Sequence, residues 1–193
     1  MKIKSTFIVI LFFLTSLIFS SNYKLIKETS TIKFDVNHFL FLQAKGTFEN
    51  YDGTIYWNKQ NISKCNFSGK IYVKSIQTGK KKYNDILLTP SFLNEKVFPE
   101  IIFSSKKIEF ISPTVYKVTG LLTVKNITHE ISGLLLVEDI LINQKNYLKL
   151  STRLVIDRTK FNIATQYKWP LLHNDVKITM SFLLKPTNSN SRV

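Results

Sequence analysis

Acidic residues and cysteine are scarce in this chain of 193 residues. Thirteen Asp and Glu stand against 27 Lys and Arg, a formal net charge of +14. An excess of that size suits an anionic partner such as a phosphate head group or a membrane surface. It is equally the mark of a Lys-rich composition, because the lysines are scattered along the chain. No arginine-rich run or aromatic-basic RNA motif accompanies them, so no nucleic-acid partner is expected. The single cysteine, Cys65, excludes an internal disulfide. It shares parity with Phe67, Gly69, Ile71 and Val73, which places it on a core face as a small hydrophobe. The three histidines are dispersed and show no metal-ligand spacing. There is no Gly-x-Ser-x-Gly motif and no phosphate-cradling glycine loop. Nothing local therefore argues for an enzyme, a cofactor or a metal. Composition does not shift along the chain, and there is neither linker nor repeat, so one domain is expected.

What is present begins with a leader pattern. Lys2 and Lys4 precede an apolar run over residues 6–19, interrupted only by Thr15 and Ser16. A basic start and a short apolar run predict a signal peptide over residues 1–20, with an uncleaved anchor as the alternative. About 170 residues then remain, enough for one sizeable core.

From residue 31 onward the pattern is β. Phe34, Val36 and His38 alternate with polar neighbours, and Ala44, Gly46 and Phe48 continue the same face. Asp52-Gly53 reads as a turn before a return strand at 54–57. A strand over 67–76 carries Ile71 and Val73 inward. Phe103 faces inward on the next, and Val118 and Leu122 on the one after. Leu150 and Ile156 hold the inner face of a late strand, which Arg158 ends; Met180 and Phe182 do so on the last. A turn is expected near 126–128. The one helical excursion lies at 85–88 and 91–94, split by Pro90 and closed by Pro99, with Leu88, Phe92 and Leu93 covering an opening. Lys80, Lys81 and Lys82 form an exposed basic cluster beside it. Residues 186–193 form a polar tail.

About eight long strands with one short helical segment predict an all-β fold, either an antiparallel barrel or a sandwich. Eight strands closed into a barrel just enclose one slender ligand. His38 is either a hydrogen-bonded core histidine or a ligand contact near the mouth. Arg158, buried by its row, needs a partner, either Asp85 or Asp35 or an anionic head group.

Several signatures resemble the YceI-like family of bacterial exported proteins. They are Phe34-Asp35-Val36-Asn37-His38, Gly46-Thr47-Phe48 with Asp52-Gly53-Thr54-Ile55, Ile76-Gln77-Thr78-Gly79 followed by Asp85 and Leu88, residues 98–105, residues 116–124, and Ile156-Asp157-Arg158-Thr159 running to Ile163. Their order spans residues 31–184. The resemblance implies an extended lipocalin-like, eight-stranded antiparallel barrel over residues 21–185. It also implies a polyisoprenoid or similar long amphiphile in an apolar tunnel, without catalysis. The leader implies a periplasmic or secreted location, the basic cluster suits transient contact with an anionic membrane surface, and monomer and homodimer both stay open. The chain departs from the family at Asn84-Asp85-Ile86-Leu87-Leu88, where Arg and His are lost from an Arg-Asp-x-His-Leu pattern, at Asn94 in place of Asp, and at Asn126 in place of glycine. The rival functions are an enzyme acting on such a lipid and a solid-core β protein for adhesion or assembly.

Overall fold

The computed structural model describes residues 21–38 and 42–187. The expected leader, residues 39–41, residues 188–193 of the tail and the side chain of His38 lie outside the described residues. Ten strands form one antiparallel sheet. They are β1 (Ser21–His38), β2 (Leu42–Phe48), β3 (Tyr51–Trp57), β4 (Asn66–Tyr72), β5 (Ile76–Gln77), β6 (Glu100–Ser112), β7 (Val115–Val124), β8 (Ile127–Ile142), β9 (Lys145–Asp157) and β10 (Leu172–Pro186). A single α-helix, α1 (Lys81–Leu87), occurs among the described residues, with three short 3₁₀ segments. It is far too short to cross a membrane, and no described helix is long and apolar enough to do so.

The sheet closes on itself. β10 pairs with β9 on one side and with β1 on the other. The second half of β1 pairs with β2, and its first residues, Ser21–Tyr23, pair with Trp57–Ile55 of β3. β2 and β3 thus act as one bent strand. β4 and β5 bend beside them, pairing with β3 and β2 respectively. Counted so, the ring is an eight-stranded antiparallel barrel of the lipocalin-like kind.

This connectivity corrects the expected opening hairpin. Asp52-Gly53 is not a turn but lies inside β3, with Gly53 directly opposite Gly69 of β4. Instead β1 and β2 are antiparallel partners, with His38 opposite Leu42, where alternation alone reads one continuous strand. Glycine is used at position 53 for close approach: a Cβ there would stand 2.8 Å from the Ser68 carbonyl oxygen.

True hairpins carry the expected chemistry. Lys125 and Asn126 both take positive φ, 49° and 62°, between the paired residues Val124 and Ile127. That is the geometry of a two-residue type I′ loop, one residue earlier than the pattern suggests. Bulges reset parity elsewhere. In β1 the register shifts between Ile26 and Thr31, and the buried Ser30 hydroxyl donates to the Ile26 carbonyl (2.7 Å) while accepting from the Leu183 N–H (3.1 Å). In β6 the shift between Ser105 and Lys107 moves the inner face from Ile101 and Phe103 to Ile108.

The helix begins four residues earlier than expected, at Lys81, and residues 91–93 form turns rather than a second helical segment. Lys80 caps it without a side-chain hydrogen bond, so no Ser, Thr, Asp or Asn marks the start.

Candidate functional site

The interior divides into two clusters. At one end Trp57, Tyr116, Ile108, Leu135, Leu148 and Leu184 are packed together. The Trp57 ring stacks on Phe67 (6.1 Å between centroids, 16° between planes) and meets Tyr116 edge-on at 4.8 Å. Such contacts add to the burial of three large rings. Cys65 belongs here; its thiol accepts from the Asn58 N–H at 3.1 Å, and burial pushes it up from its ordinary value. It is an inert core thiol rather than a nucleophile.

The other end has its own buried cluster, including Phe34, Phe48, Tyr51 and Phe161, set around open space that reaches Leu135 and Leu150 of the first. That space is a cavity of about 850 Å³. From β1 and β2 come Phe34, Val36 and Phe48; from β4, Ile71; from β6, Phe103. Val118 and Leu122 of β7, Leu150 and Ile156 of β9, and Met180 and Phe182 of β10 complete the staves. Val118 and Phe182 also pack against the Trp57 cluster, so they lie where cavity meets floor.

Two residues expected on this wall lie elsewhere. Val73 is 1% exposed within the core, because β4 ends at Tyr72 and the chain turns into a 3₁₀ segment, Val73–Ser75, where strand alternation stops. Leu88 packs against the core as the C-cap of α1. The helix instead presents Tyr83, Ile86 and Leu87 to the cavity, at the i, i+3, i+4 spacing of one helical face.

Room in the middle comes from glycine. Gly53, Gly69 and Gly133 all sit on the cavity wall. A Cβ at Gly69 would meet nothing nearer than the Asp52 carbonyl oxygen at 3.5 Å. Gly46 and Gly120 have a different use. The rings of Phe34 and Phe103 lie against them where a Cβ would stand, so both phenyls hug the wall. These glycines, and the rim residues Ile163, Tyr167 and Leu171, were not singled out as site residues from sequence. Glycine recurring on the inner face of strands was the available signal.

Arg158 closes one side of the mouth. It is 2% exposed and pairs with neither Asp85 nor Asp35. Asp85 is bonded to Lys81 (2.7 Å), and Asp35 lies 3.8 Å from Lys45. The guanidinium donates to backbone carbonyls: Nε to His173 (2.9 Å), Nη1 to Ile163 and Ala164 (2.7 Å each), Nη2 to Tyr167 and Leu172. Nη2 also reaches the Asn174 side-chain oxygen at 3.3 Å. Burial pulls Arg158 below its ordinary value, while neighbouring Asp157 holds it up. Its whole donor fork is committed to shaping residues 163–174. Lys125, lowered by burial, donates to the carbonyls of Asn162 (2.7 Å) and Pro90 (3.2 Å), tying that loop to the segment after α1.

On the wall itself, the Tyr51 phenol is pushed up, first by burial and then by nearby Glu28, so it remains a neutral hydroxyl at pH 7. Thr152 spends its hydroxyl proton on the Leu134 carbonyl (2.7 Å). Among the described residues no group of three His, Cys, Asp or Glu is placed to hold a metal. The arrangement can sequester an elongated apolar body. It offers little with which to activate one.

Comparison with known proteins agrees with this geometry. A family model described as the YceI-like domain matches residues 23–184. Protein YceI of Salmonella newport is 27% identical over 124 residues, 63% of this chain and 64% of that protein, so the match spans a little under two thirds of the curated relative. The crystal structure of Burkholderia cenocepacia BcnA superposes with a TM-score of 0.77 at 21% identity, over 83% of this chain and 99% of that one. A polyisoprenoid-binding domain from Saccharophagus degradans, implicated in plant cell wall breakdown, superposes with a TM-score of 0.66 at 10% identity, over 87% of this chain and 99% of that one.

Proposed function

The chain belongs to the YceI-like family, and from that premise we propose that it is an exported carrier that holds a polyisoprenoid or similarly long amphiphile in the hollow half of its barrel. The observation that carries this reading is the cavity of about 850 Å³, walled by apolar side chains and bare glycine backbone within one chain. Each methylene moved from water to such a wall is worth about 0.8 kcal/mol. A long chain therefore binds without a specific polar contact. Phe34, Val36, Phe48, Ile71, Phe103 and Leu122 grip its upper part; Val118, Leu150 and Phe182 stop it at the floor; Ile156, Met180 and Phe92 complete the wall. Arg158 serves by holding the mouth in shape, its donors already taken. That a structural neighbour is a polyisoprenoid-binding domain supports this ligand class. The carrier has no chemistry of its own and needs no cofactor. Residues 1–20 act as the export leader to the periplasm or beyond, which N-terminal sequencing of the exported protein checks.

Native mass spectrometry of the purified protein, followed by lipid extraction, tests the reading. A bound prenyl lipid, or stoichiometric uptake of a fluorescent prenyl lipid, is expected. Protein that arrives empty and takes up no such probe overturns it.

A further inference from the structure

We propose that the hollow end of the barrel docks, mouth first, on an anionic lipid bilayer, an inference that rests on the lipid-carrying reading above. The mouth has two jaws. One is α1 with residues 88–98; the other is the loop over residues 162–172. They are joined where the Ala164 N–H donates to the Ser91 carbonyl (2.7 Å) and where the Phe92 and Tyr167 rings lie 6.1 Å apart. Tyr83, Ile86, Tyr167 and Leu171 line the cavity and are also exposed, so the cavity reaches the surface between them. Trp169, 61% exposed, stands beside them on the outer lip.

Large apolar and aromatic side chains left in water around an opening call for a cover. Their charged neighbours say which. Lys80, Lys81 and Lys82 are exposed on one jaw, with the Lys80 ammonium 5.3 Å from the Tyr83 ring centre. Lys168 is exposed on the other, between Tyr167 and Trp169. The acids on these jaws are Asp85, already bonded to Lys81, and Glu95. Trp and Tyr sit at head-group level in bilayers, and lysines are drawn to anionic lipid, so the two attractions act together on this rim. The opposite end also exposes apolar residues, Phe110, Ile111 and Leu141. Behind them lies the buried cluster around Trp57, and no lysine triplet flanks them. Among the described residues only the mouth combines apolar surface, basic charge and access to the cavity, so docking there lets a long chain pass from bilayer to barrel without crossing water.

The chain carries a built-in reporter, because it has two tryptophans and the other, Trp57, is 4% exposed. The exported protein, freed of its leader, is mixed with phosphatidylcholine vesicles containing about 30% phosphatidylglycerol, or none, some with brominated acyl chains. With the anionic vesicles we expect Trp169 emission to shift to the blue and to be quenched by the brominated lipid. The signal should vanish in Trp169→Phe. Lys82→Glu combined with Lys168→Glu should lower partitioning by about fivefold for each lysine removed. Both lysines are solvent-exposed and outside the cavity wall, so the thermal midpoint should hold and uptake of a fluorescent prenyl lipid from aqueous dispersion should persist, while uptake from vesicles falls. Vesicle binding with no change at Trp169 would mean that another face docks. No partitioning at all would mean that the rim meets a protein or a second copy. Either result overturns the proposal. Failure to take up the dispersed prenyl lipid would instead count against the carrier reading.

Discussion

The two ends of the barrel share their strands and differ in what the inner faces carry across the middle. At the Trp57 end, rings from β3, β4 and β7 meet one another, and Leu148 and Leu184 fill what remains. At the Arg158 end, Phe34 and Phe103 fold back against Gly46 and Gly120, while Gly53, Gly69 and Gly133 send nothing inward. Ring pairs occur at both ends, Phe34 lying 5.7 Å from Phe48 and Tyr51 6.0 Å from Phe182; what differs is that at the Arg158 end they stand around open space. An apolar interior becomes a core or a container according to whether its side chains reach one another or lie along the wall.

That contrast can be broken or sharpened by substitution. The largest effect is expected for Trp57→Ala, which opens a void in the filled end and should cost about 3–5 kcal/mol in chemical denaturation, with lipid uptake per folded molecule unchanged. A loss under about 1 kcal/mol would mean that this end is not a close-packed floor. Arg158→Lys comes next. An ammonium has three donors for five carbonyls, so at least two are orphaned in the buried loop, and at about 1–3 kcal/mol each a loss of about 2 kcal/mol or more is expected. Faster amide exchange over residues 163–172 is the accompanying readout. Gly69→Leu should move stability by less than about 1 kcal/mol yet abolish uptake of a prenyl lipid, since its side chain enters empty space; overpacking a true core would cost about 1–3 kcal/mol. Such a cost at Gly69 would erase the distinction between the ends.

The smallest effect concerns pH. Burial raises the Cys65 thiol in the folded state. Its contribution is then fully present below the unfolded value, about 8.5, and is lost as pH rises through the folded one. Tyr51 and Tyr116 are raised by burial in the same sense at higher pH. The thermal midpoint should therefore fall gently above pH ~8.5, and less steeply in Cys65→Ala. Alkylation of Cys65 at pH ~8 should run far slower in native than in denatured protein, as mass spectrometry would show.

Much of the barrel was legible in the chain. Alternation assigned the inner faces of β7, β8, β9 and β10 correctly, from Tyr116 to Leu184. Asn126 marked a hairpin, and Pro90 limited the helix. The failures cluster where local signals compete. Asp52-Gly53 has turn chemistry, but glycine there serves a close strand approach. The lysines at 80–82 are exposed as their run suggests, but Lys81 and Lys82 belong to α1 rather than lying beside it. Val73 continued an alternation that the 3₁₀ segment interrupts.

What the sequence by itself determined is the set of strands and which side of each is apolar, because period-2 patterning is a property of neighbours along the chain. Tertiary structure alone decided that the apolar sides enclose space at one end and fill it at the other. It alone decided, too, that Arg158 is satisfied by the carbonyls of one loop rather than by a carboxylate. Both depend on which atoms stand opposite across the closed barrel, and closure brings together residues whose separation in sequence carries no trace of their distance in space.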